Sequence, residues 1–163
     1  EVLAATSRVG SSTLRLRLAE EHDVAGVVAV NPIIQTERRE WPYLTALRGV
    51  VSSWPNRNDD IKRPGITEGA YDRIPLRAAH SLTRLWAATR SEIDRMTAPL
   101  LVIRSADDHV AEPSNVTWLL ANVGSTDVTE IMLEDSFHVA TLDNDADTVF
   151  AASLDFARRV SGR

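Results

Sequence analysis

Two apolar runs place the strongest constraint on the fold of this chain. Residues 24–30 read Val-Ala-Gly-Val-Val-Ala-Val and residues 100–103 read Leu-Leu-Val-Ile, with Pro32 after the first run and Pro99 before the second. A strand that is apolar at nearly every position has both faces covered, as in a parallel sheet flanked by helices. Parallel strands also need helical crossovers. The two runs therefore predict an α/β fold.

Helical patterns and a further strand follow the second run. A helix is predicted to begin near Pro113 and to end at Gly124, and a strand follows it at residues 129–133, which completes one strand-helix-strand unit. A last helix is predicted over residues 148–160, with Asp147 at its N-cap. This alternation supports a mostly parallel sheet.

Residues 35–96 break the alternation, because no strand pattern interrupts them. Apolar residues recur at helical spacing over residues 44–54 and again over 76–89, and a polar loop at residues 56–65 separates the two stretches. The expected organisation is a core of residues 1–34 and 97–163 and a helical insertion at 35–96. Three of the chain's four tryptophans fall in this insertion: Trp41, Trp54 and Trp86.

Composition excludes several classes of function. The 163 residues carry a formal net charge of -5, so the chain lacks the basic surface that binds nucleic acid. The absence of cysteine excludes disulfides, thiolate metal sites and a cysteine nucleophile. With no apolar run of membrane-spanning length and no signal peptide, we expect no integral membrane segment and a cytoplasmic location.

An acid and a histidine follow neighbouring strands. Asp107 and Asp108 follow the strand at 100–103, and His138 follows the strand at 129–133. The carboxyl ends of parallel strands meet at one edge of the sheet, where an acid and a histidine supply two members of a Ser-His-Asp triad. A histidine that caps a helix or bonds a carbonyl is the alternative for His138.

The acidic runs near these residues also suggest a metal site, but the spacing argues against one. A calcium-binding loop that began at Asp143 would need Gly and Glu at the positions of Thr148 and Leu154. Turn and N-cap chemistry accounts for these carboxylates. We therefore predict no metal.

Several short segments, in this order, resemble one family. They are Leu-Arg-Leu-Ala-Glu-Glu-His at 16–22, Val-Asn-Pro at 30–32, Ala-Pro-Leu-Leu-Val at 98–102, Asp-His-Val at 108–110 and His-Val-Ala-Thr-Leu-Asp at 138–143. With them the chain resembles the C-terminal portion of small bacterial carboxylesterases and monoacylglycerol lipases of the α/β-hydrolase superfamily. The resemblance implies a partial α/β-hydrolase fold, with a parallel half-sheet, flanking helices and a helical cap insertion.

The resemblance also implies the chemistry. The triad acid falls on Asp108 and not on Asp107, and the triad base falls on His138. The expected reaction is hydrolysis of a small ester or acylglycerol through an acyl-serine, with no cofactor. The segment at 35–96 corresponds to the cap over the acyl pocket. The tryptophans Trp41, Trp54 and Trp86 are expected to form the cap's own core or, alternatively, a wall that binds the acyl chain.

The nucleophile is the point at which the chain departs from the family, because Gly-x-Ser-x-Gly does not occur. The best register places Ser7 at the nucleophile, with Ala5 and Val9 in place of the two glycines. The family's turn at this serine is strained and needs small residues, so Val9 is a steric obstacle. Ser11 and Ser12 are typical of helix caps.

The missing motif leaves three interpretations of function. The first is an esterase of the family with weak activity in this chain. The second is a non-catalytic module that binds a partner or dimerises, and the third is a truncated or frameshifted fragment. The predicted half-sheet has an open edge at residues 2–4, which we expect to pair with a second copy of the chain or with a separate N-terminal piece.

Overall fold

This computed structural model describes residues 2–5, 24–56 and 59–162, which form six strands and four α-helices. The strands are β1 Val2–Ala5, β2 Gly26–Val30, β3 Ser53–Pro55, β4 Arg73–Pro75, β5 Leu100–Ser105 and β6 Val128–Leu133. The α-helices are α1 Trp41–Ala46, α2 Leu76–Glu92, α3 Ser114–Asn122 and α4 Ala146–Ser161. Short 3-10 turns occupy Leu47–Gly49, Ile93–Arg95 and Ala140–Leu142.

The main sheet contains β1, β2, β5 and β6 in that order, and each neighbouring pair is parallel. Alternate residues of β2 and β5 enter two apolar clusters on opposite faces of the sheet. Val27 and Val102 pack with Leu119 of α3, whereas Val28 and Ile103 pack with residues of α4. Burial on both faces explains the continuous apolar runs. The predicted α/β fold, with its parallel sheet and flanking helices, is confirmed.

Parallel pairing sets the position of the candidate site. Ala5 is in register with Ala29, Val30 with Ile103, and Ser105 with Leu133, so the four strands end at the same edge of the sheet. The loops after β5 and β6 start from neighbouring positions at this edge. Ligands of open α/β sheets bind at the carboxyl ends of the strands.

The segment at residues 35–96 contains strands that the periodicity did not predict. The helix expected over residues 44–54 ends with α1 and its 3-10 turn, and β3 then pairs with β4 in an antiparallel hairpin that sets Trp54 opposite Ile74. Trp54 precedes Pro55, and a residue before proline disfavours the helical conformation. The expectation that no strand interrupts residues 35–96 was wrong, whereas α2 lies where its pattern predicted.

Gly124 was predicted to end α3, but the structure requires a glycine at this position for a different reason. The helix itself stops at Asn122, and Val123 is extended. A Cβ atom at Gly124 would lie 1.8 Å from the carbonyl oxygen of Asp94, in the turn Ile93–Arg95. Glycine is therefore required here by close backbone packing rather than by a left-handed helix cap.

The last helix begins earlier than predicted. α4 starts at Ala146, so Asp147 lies in its first turn and is not the N-cap residue. Asp145 occupies that position, and its carboxylate instead accepts hydrogen bonds from the Asp135 backbone N–H and the Ser136 hydroxyl. Gly162, with φ of 66°, terminates the helix in the left-handed conformation. Over the described parts of the chain, no helix has the length and apolar character needed to cross a membrane.

Candidate active site

The structure brings Asp108 and His138 into contact at the carboxyl edge of the sheet. Asp108 lies in the turn after β5 and His138 in the turn after β6. The Nδ1 atom of His138 lies 2.8 Å from Oδ2 and 3.1 Å from Oδ1 of Asp108. The two side chains are only 5% and 6% exposed. A carboxylate at Nδ1 holds the proton on that nitrogen, which leaves Nε2 as the basic atom.

The turn after β5 fixes the Asp108 carboxylate. Its Oδ1 atom accepts hydrogen bonds from the backbone N–H groups of Val110 and Ala111, both at 2.8 Å. Such bonds from an aspartate to the backbone just after it stabilise a turn. Asp107 points elsewhere: its side chain is 66% exposed and lies 3.5 Å from Nε2 of His109. Of the two neighbouring aspartates, only Asp108 contacts His138.

Asn31, which follows β2, connects the end of β5 to the turn after β6, a role that its sequence context did not reveal. It follows β2 in the left-handed conformation, with φ of 45°, which asparagine tolerates. Its side-chain N–H donates to the carbonyl of His138 at 2.7 Å and to Ser105 Oγ at 3.0 Å, and its Oδ1 accepts from the Ser105 N–H at 2.7 Å. Ser105 in turn donates its hydroxyl to the carbonyl of Phe137 at 2.7 Å. The network fixes the backbone at His138.

A loop from the segment at 35–96 closes the other side of the histidine turn. Asp60, in the stretch predicted as a polar surface loop, is only 8% exposed. Its Oδ2 atom accepts a hydrogen bond from the His138 backbone N–H at 3.1 Å, and its Oδ1 lies 2.9 Å from Nδ1 of His109. Sequence reasoning missed this residue, because a lone aspartate in a polar loop is typical of a solvated turn.

Asp143 joins the same loop to the histidine turn. Its buried carboxylate accepts hydrogen bonds from the backbone N–H groups of Lys62, Arg63, Phe137 and Asn144, at 2.7 to 2.9 Å. Burial by itself would raise the pKa of the Asp143 carboxyl, but the four backbone hydrogen bonds outweigh burial and lower that pKa below its usual range. The ionised form therefore stabilises the fold.

Replacing Asp143 by Asn is expected to lower the free energy of unfolding by about 2 kcal/mol at pH 7, because an amide cannot accept at both ends. The folded-state pKa of Asp143 is depressed. The contribution of Asp143 to the free energy of unfolding is therefore fully present above its unfolded-state pKa of about 3.9. This contribution is lost as the pH falls through the folded-state pKa. Urea unfolding at a series of pH values should show the two proteins converging below about pH 4.

The exposed Asp155 on α4 provides the control for this experiment, since its side chain is 76% exposed. Asp155→Asn should leave the pH dependence of unfolding close to that of the unaltered protein. A stability difference between Asp143→Asn and the unaltered protein that stays constant down to the lowest pH would contradict the assignment.

An open cleft lies beside the turn after β5, and the three predicted tryptophans line it together. Trp41 and Trp86 stack with ring centroids 5.9 Å apart, and Trp54 of the hairpin completes the wall. Trp86 is buried, whereas Trp54 is 47% exposed. The cleft reaches Val110, whose backbone N–H is bonded to Asp108. Trp41 and Trp86 thus pack on each other, and all three tryptophans line a cleft near the candidate site.

Two further expectations concern the nucleophile and metals. Ser7 lies outside the described residues, as do Val9, Ser11 and Ser12. The strand that precedes Ser7 is described, and it ends at Ala5 at the same edge as Asp108 and His138. Within the ranges that the structure describes, no group of three or more His, Asp or Glu side chains is arranged to hold a metal ion.

Comparison with known proteins relates the chain to lipolytic and esterase sequences. The family model described as serine aminopeptidase, S33 matches residues 70–145. The chain is 34% identical over 155 residues to the thermostable monoacylglycerol lipase of Bacillus sp. (strain H-257), with 92% of the chain and 60% of that protein covered. It is 24% identical over 164 residues to the carboxylesterase of Bacillus subtilis (strain 168), with 98% and 65% covered. The chain therefore spans between 60% and 65% of the length of these curated relatives.

Solved structures give the same relationship. A structure from work on the metagenome-derived lipolytic enzymes LipS and LipT matches with a TM-score of 0.90 and 31% identity, over 98% of this chain and 66% of that one. The monoacylglycerol lipase of Paleococcus ferrophilus matches with a TM-score of 0.75 over 99% and 68% of the two chains, and at 19% identity this match supports the fold alone. The chain therefore belongs to the α/β-hydrolase superfamily, as a member of its esterase and lipase type.

Proposed function

We propose that the chain carries the acid and base of a serine hydrolase that cleaves carboxylic esters. The observation that supports this most is the buried contact of 2.8 Å between Asp108 and His138. An exposed histidine beside a carboxylate is common, but a buried pair at the carboxyl edge of an α/β sheet is the arrangement that orients a general base. Asp108 is proposed as the orienting acid and His138 as the general acid/base.

The proposed reaction has two acyl-transfer steps. Nε2 of His138 accepts the proton of the serine hydroxyl as the serine oxygen attacks the ester carbonyl carbon, and it then donates that proton to the leaving alcohol. Water repeats the sequence on the acyl-serine and releases the acid. Asp108 stays ionised and stabilises the imidazolium that forms in each step. No cofactor is required for this chemistry.

Ser7 is the proposed nucleophile. It stands two residues beyond Ala5, where β1 ends at the edge that holds Asp108 and His138. Among the serines near the chain's beginning, this position matches the family's order of strand end followed by nucleophile. Val9 in place of a glycine would strain the turn, so we expect slow turnover.

The proposed substrates are small esters or acylglycerols. Residues 35–96 are proposed to form the cap, and the cleft lined by Trp41, Trp54 and Trp86 is proposed to receive the acyl chain, since aromatic and apolar walls favour an apolar ligand. The curated relatives support this class, because one is a monoacylglycerol lipase and another is a carboxylesterase.

A second candidate function is a non-catalytic module that binds a partner or dimerises. The replacement of the two motif glycines by Ala5 and Val9 favours it, because a misshapen turn would not present the serine for attack. In this case the Asp108 and His138 pair would persist from an ancestral triad without a working nucleophile.

Labelling with a fluorophosphonate probe distinguishes the two candidates, because the probe reacts only with an activated serine. We expect slow labelling of the unaltered chain, loss of labelling in Ser7→Ala, and strong reduction in His138→Gln. Ser11→Ala is the matched control and should label normally. Labelling that survives Ser7→Ala would reject Ser7 as the nucleophile, and absence of labelling at saturating probe would favour the binding module. Hydrolysis of p-nitrophenyl esters of increasing acyl length tests the cleft assignment in the same proteins.

A further inference from the structure

We propose that Asp60 is a positioning residue for the candidate active site, through which residues 35–96 hold the Asp108 and His138 pair in its working geometry. The inference rests on the proposed function for its catalytic consequence, but the positioning itself is a structural statement that can be tested without hydrolysis. Asp60 does not contact the reacting atoms. It acts through the backbone of His138.

The Asp60 carboxylate bonds both of the turns that carry the pair. Its Oδ2 atom accepts from the backbone N–H of His138 at 3.1 Å and from that of His109 at 3.3 Å. Its Oδ1 atom is the partner of His109 Nδ1 at 2.9 Å. The Asp60 backbone carbonyl accepts from the N–H of Val139 at 3.1 Å. Asp60 therefore bridges His109, the residue next to Asp108, and His138.

The surrounding loop is built to deliver this carboxylate. Asp59 adopts the left-handed conformation, with φ of 50°, and its own carboxylate accepts from the Thr67 hydroxyl and the Glu68 N–H, both at 2.7 Å. On the other side of Asp60, the backbone N–H of Lys62 is held by Asp143 at 2.7 Å. Hydrogen bonds thus hold the loop on both sides of Asp60. The Asp60 side chain is buried, whereas that of its neighbour Asp59 is exposed.

The chemistry of a carboxylate matters at this position. An ionised aspartate offers only acceptors, and here backbone N–H groups face both sides of it. An asparagine would turn an N–H₂ group toward one of these donors, and an alanine would leave the N–H of His138 without this acceptor. Either change should let the histidine backbone shift. Since the contact between His138 and Asp108 is set by that backbone, the shift should loosen control of the imidazole tautomer.

The test compares Asp60→Asn and Asp60→Ala with Asp155→Asn, a control at the exposed carboxylate on α4. The tautomer of His138 is read from the ¹⁵N shifts of its ring in labelled protein at a pH where the ring is neutral, with His138→Gln used to assign the signals. We expect the Nδ1–H tautomer in the unaltered protein and in Asp155→Asn, and a mixture of tautomers in both Asp60 variants. Unaltered ring shifts in folded Asp60 variants would overturn the proposal.

Two further measurements complete the test. If the Asp60 variants do not fold, amide hydrogen exchange of the unaltered protein decides: strong protection of the His138 N–H is expected, and exchange at the rate of an open loop would overturn the proposal. Where ester hydrolysis is measurable, Asp60→Asn should lower kcat by about ten- to a hundred-fold with little change in KM. A rise in KM with kcat unchanged would instead indicate a substrate-binding role and reject positioning.

The ring shifts also separate this proposal from the proposed function. A chain that hydrolyses no ester but shows Asp60-dependent tautomer control would retain Asp60 as a positioning residue and lose the esterase assignment. Ring shifts of His138 that do not respond to Asp108→Asn would reject the pair itself.

Discussion

Replacing Asp108 by Asn is expected to lower kcat for ester hydrolysis by about ten-thousand-fold while the fold remains intact. The geometry specifies why. Oδ1 of Asp108 accepts two backbone N–H groups, from Val110 and Ala111, whereas Oδ2 lies 2.8 Å from His138 Nδ1. The asparagine carbonyl oxygen must stay with the two N–H donors, so its N–H₂ group faces the imidazole. The proton then moves to Nε2, which can no longer accept the proton of the serine.

Asp107→Asn is the matched control, since that side chain is exposed and contacts His109 rather than His138. It should change kcat by less than about two-fold, as expected for a surface substitution away from the site. Both variants should unfold with a thermal midpoint close to that of the unaltered protein. A loss of kcat without a fall in this midpoint is a catalytic loss and not a structural one. Equal losses in the two variants would reject Asp108 as the orienting acid.

Replacing Gly124 by Ala is expected to lower the free energy of unfolding by about 3 kcal/mol, at the upper end of overpacking effects. The new Cβ atom would lie 1.8 Å from the Asp94 carbonyl oxygen and 2.8 Å from the Asp94 carbonyl carbon. Both are backbone atoms, so relief requires the turn Ile93–Arg95 to move away from the end of α3. That turn carries the buried Ile93 and leads to the buried Met96, which belong to the core under the sheet.

Urea unfolding measures the Gly124 effect, and Gly49→Ala is the control. A Cβ atom at Gly49 meets nothing within 4 Å, so this substitution should be neutral or slightly stabilising. A loss below about 1 kcal/mol in Gly124→Ala would show that the turn yields readily and that the close approach is not a constraint on the fold.

Short-range patterns in the sequence determined the parts of the protein that depend on local periodicity. The continuous apolar runs of β2 and β5 predicted buried parallel strands, because such runs are stable only when both faces are covered. The spacing of apolar residues predicted α2 and α3, because apolar residues at helical spacing share one face of a helix and that face must be buried. The order of acid and histidine after successive strands predicted that an acid of the pair Asp107 and Asp108 would lie near His138, since parallel strands end at a common edge, and the family resemblance assigned that acid to Asp108.

Tertiary structure alone decided the features that depend on contacts between distant segments. Asp60 is buried because residues separated from it by 49 and 78 positions offer their N–H groups to it, and no periodicity in a polar loop reveals such partners. Gly124 is required because the backbone at Asp94 approaches it, not because a helix ends there. The hairpin at Trp54 formed where an apolar pattern favoured a helix, because Pro55 and pairing with Arg73–Pro75 outweighed a weak local preference. The sequence by itself determined that the apolar strands of the main sheet must be buried, because nearly every one of their side chains is apolar; the three-dimensional packing of the loops decided what each polar residue bonds.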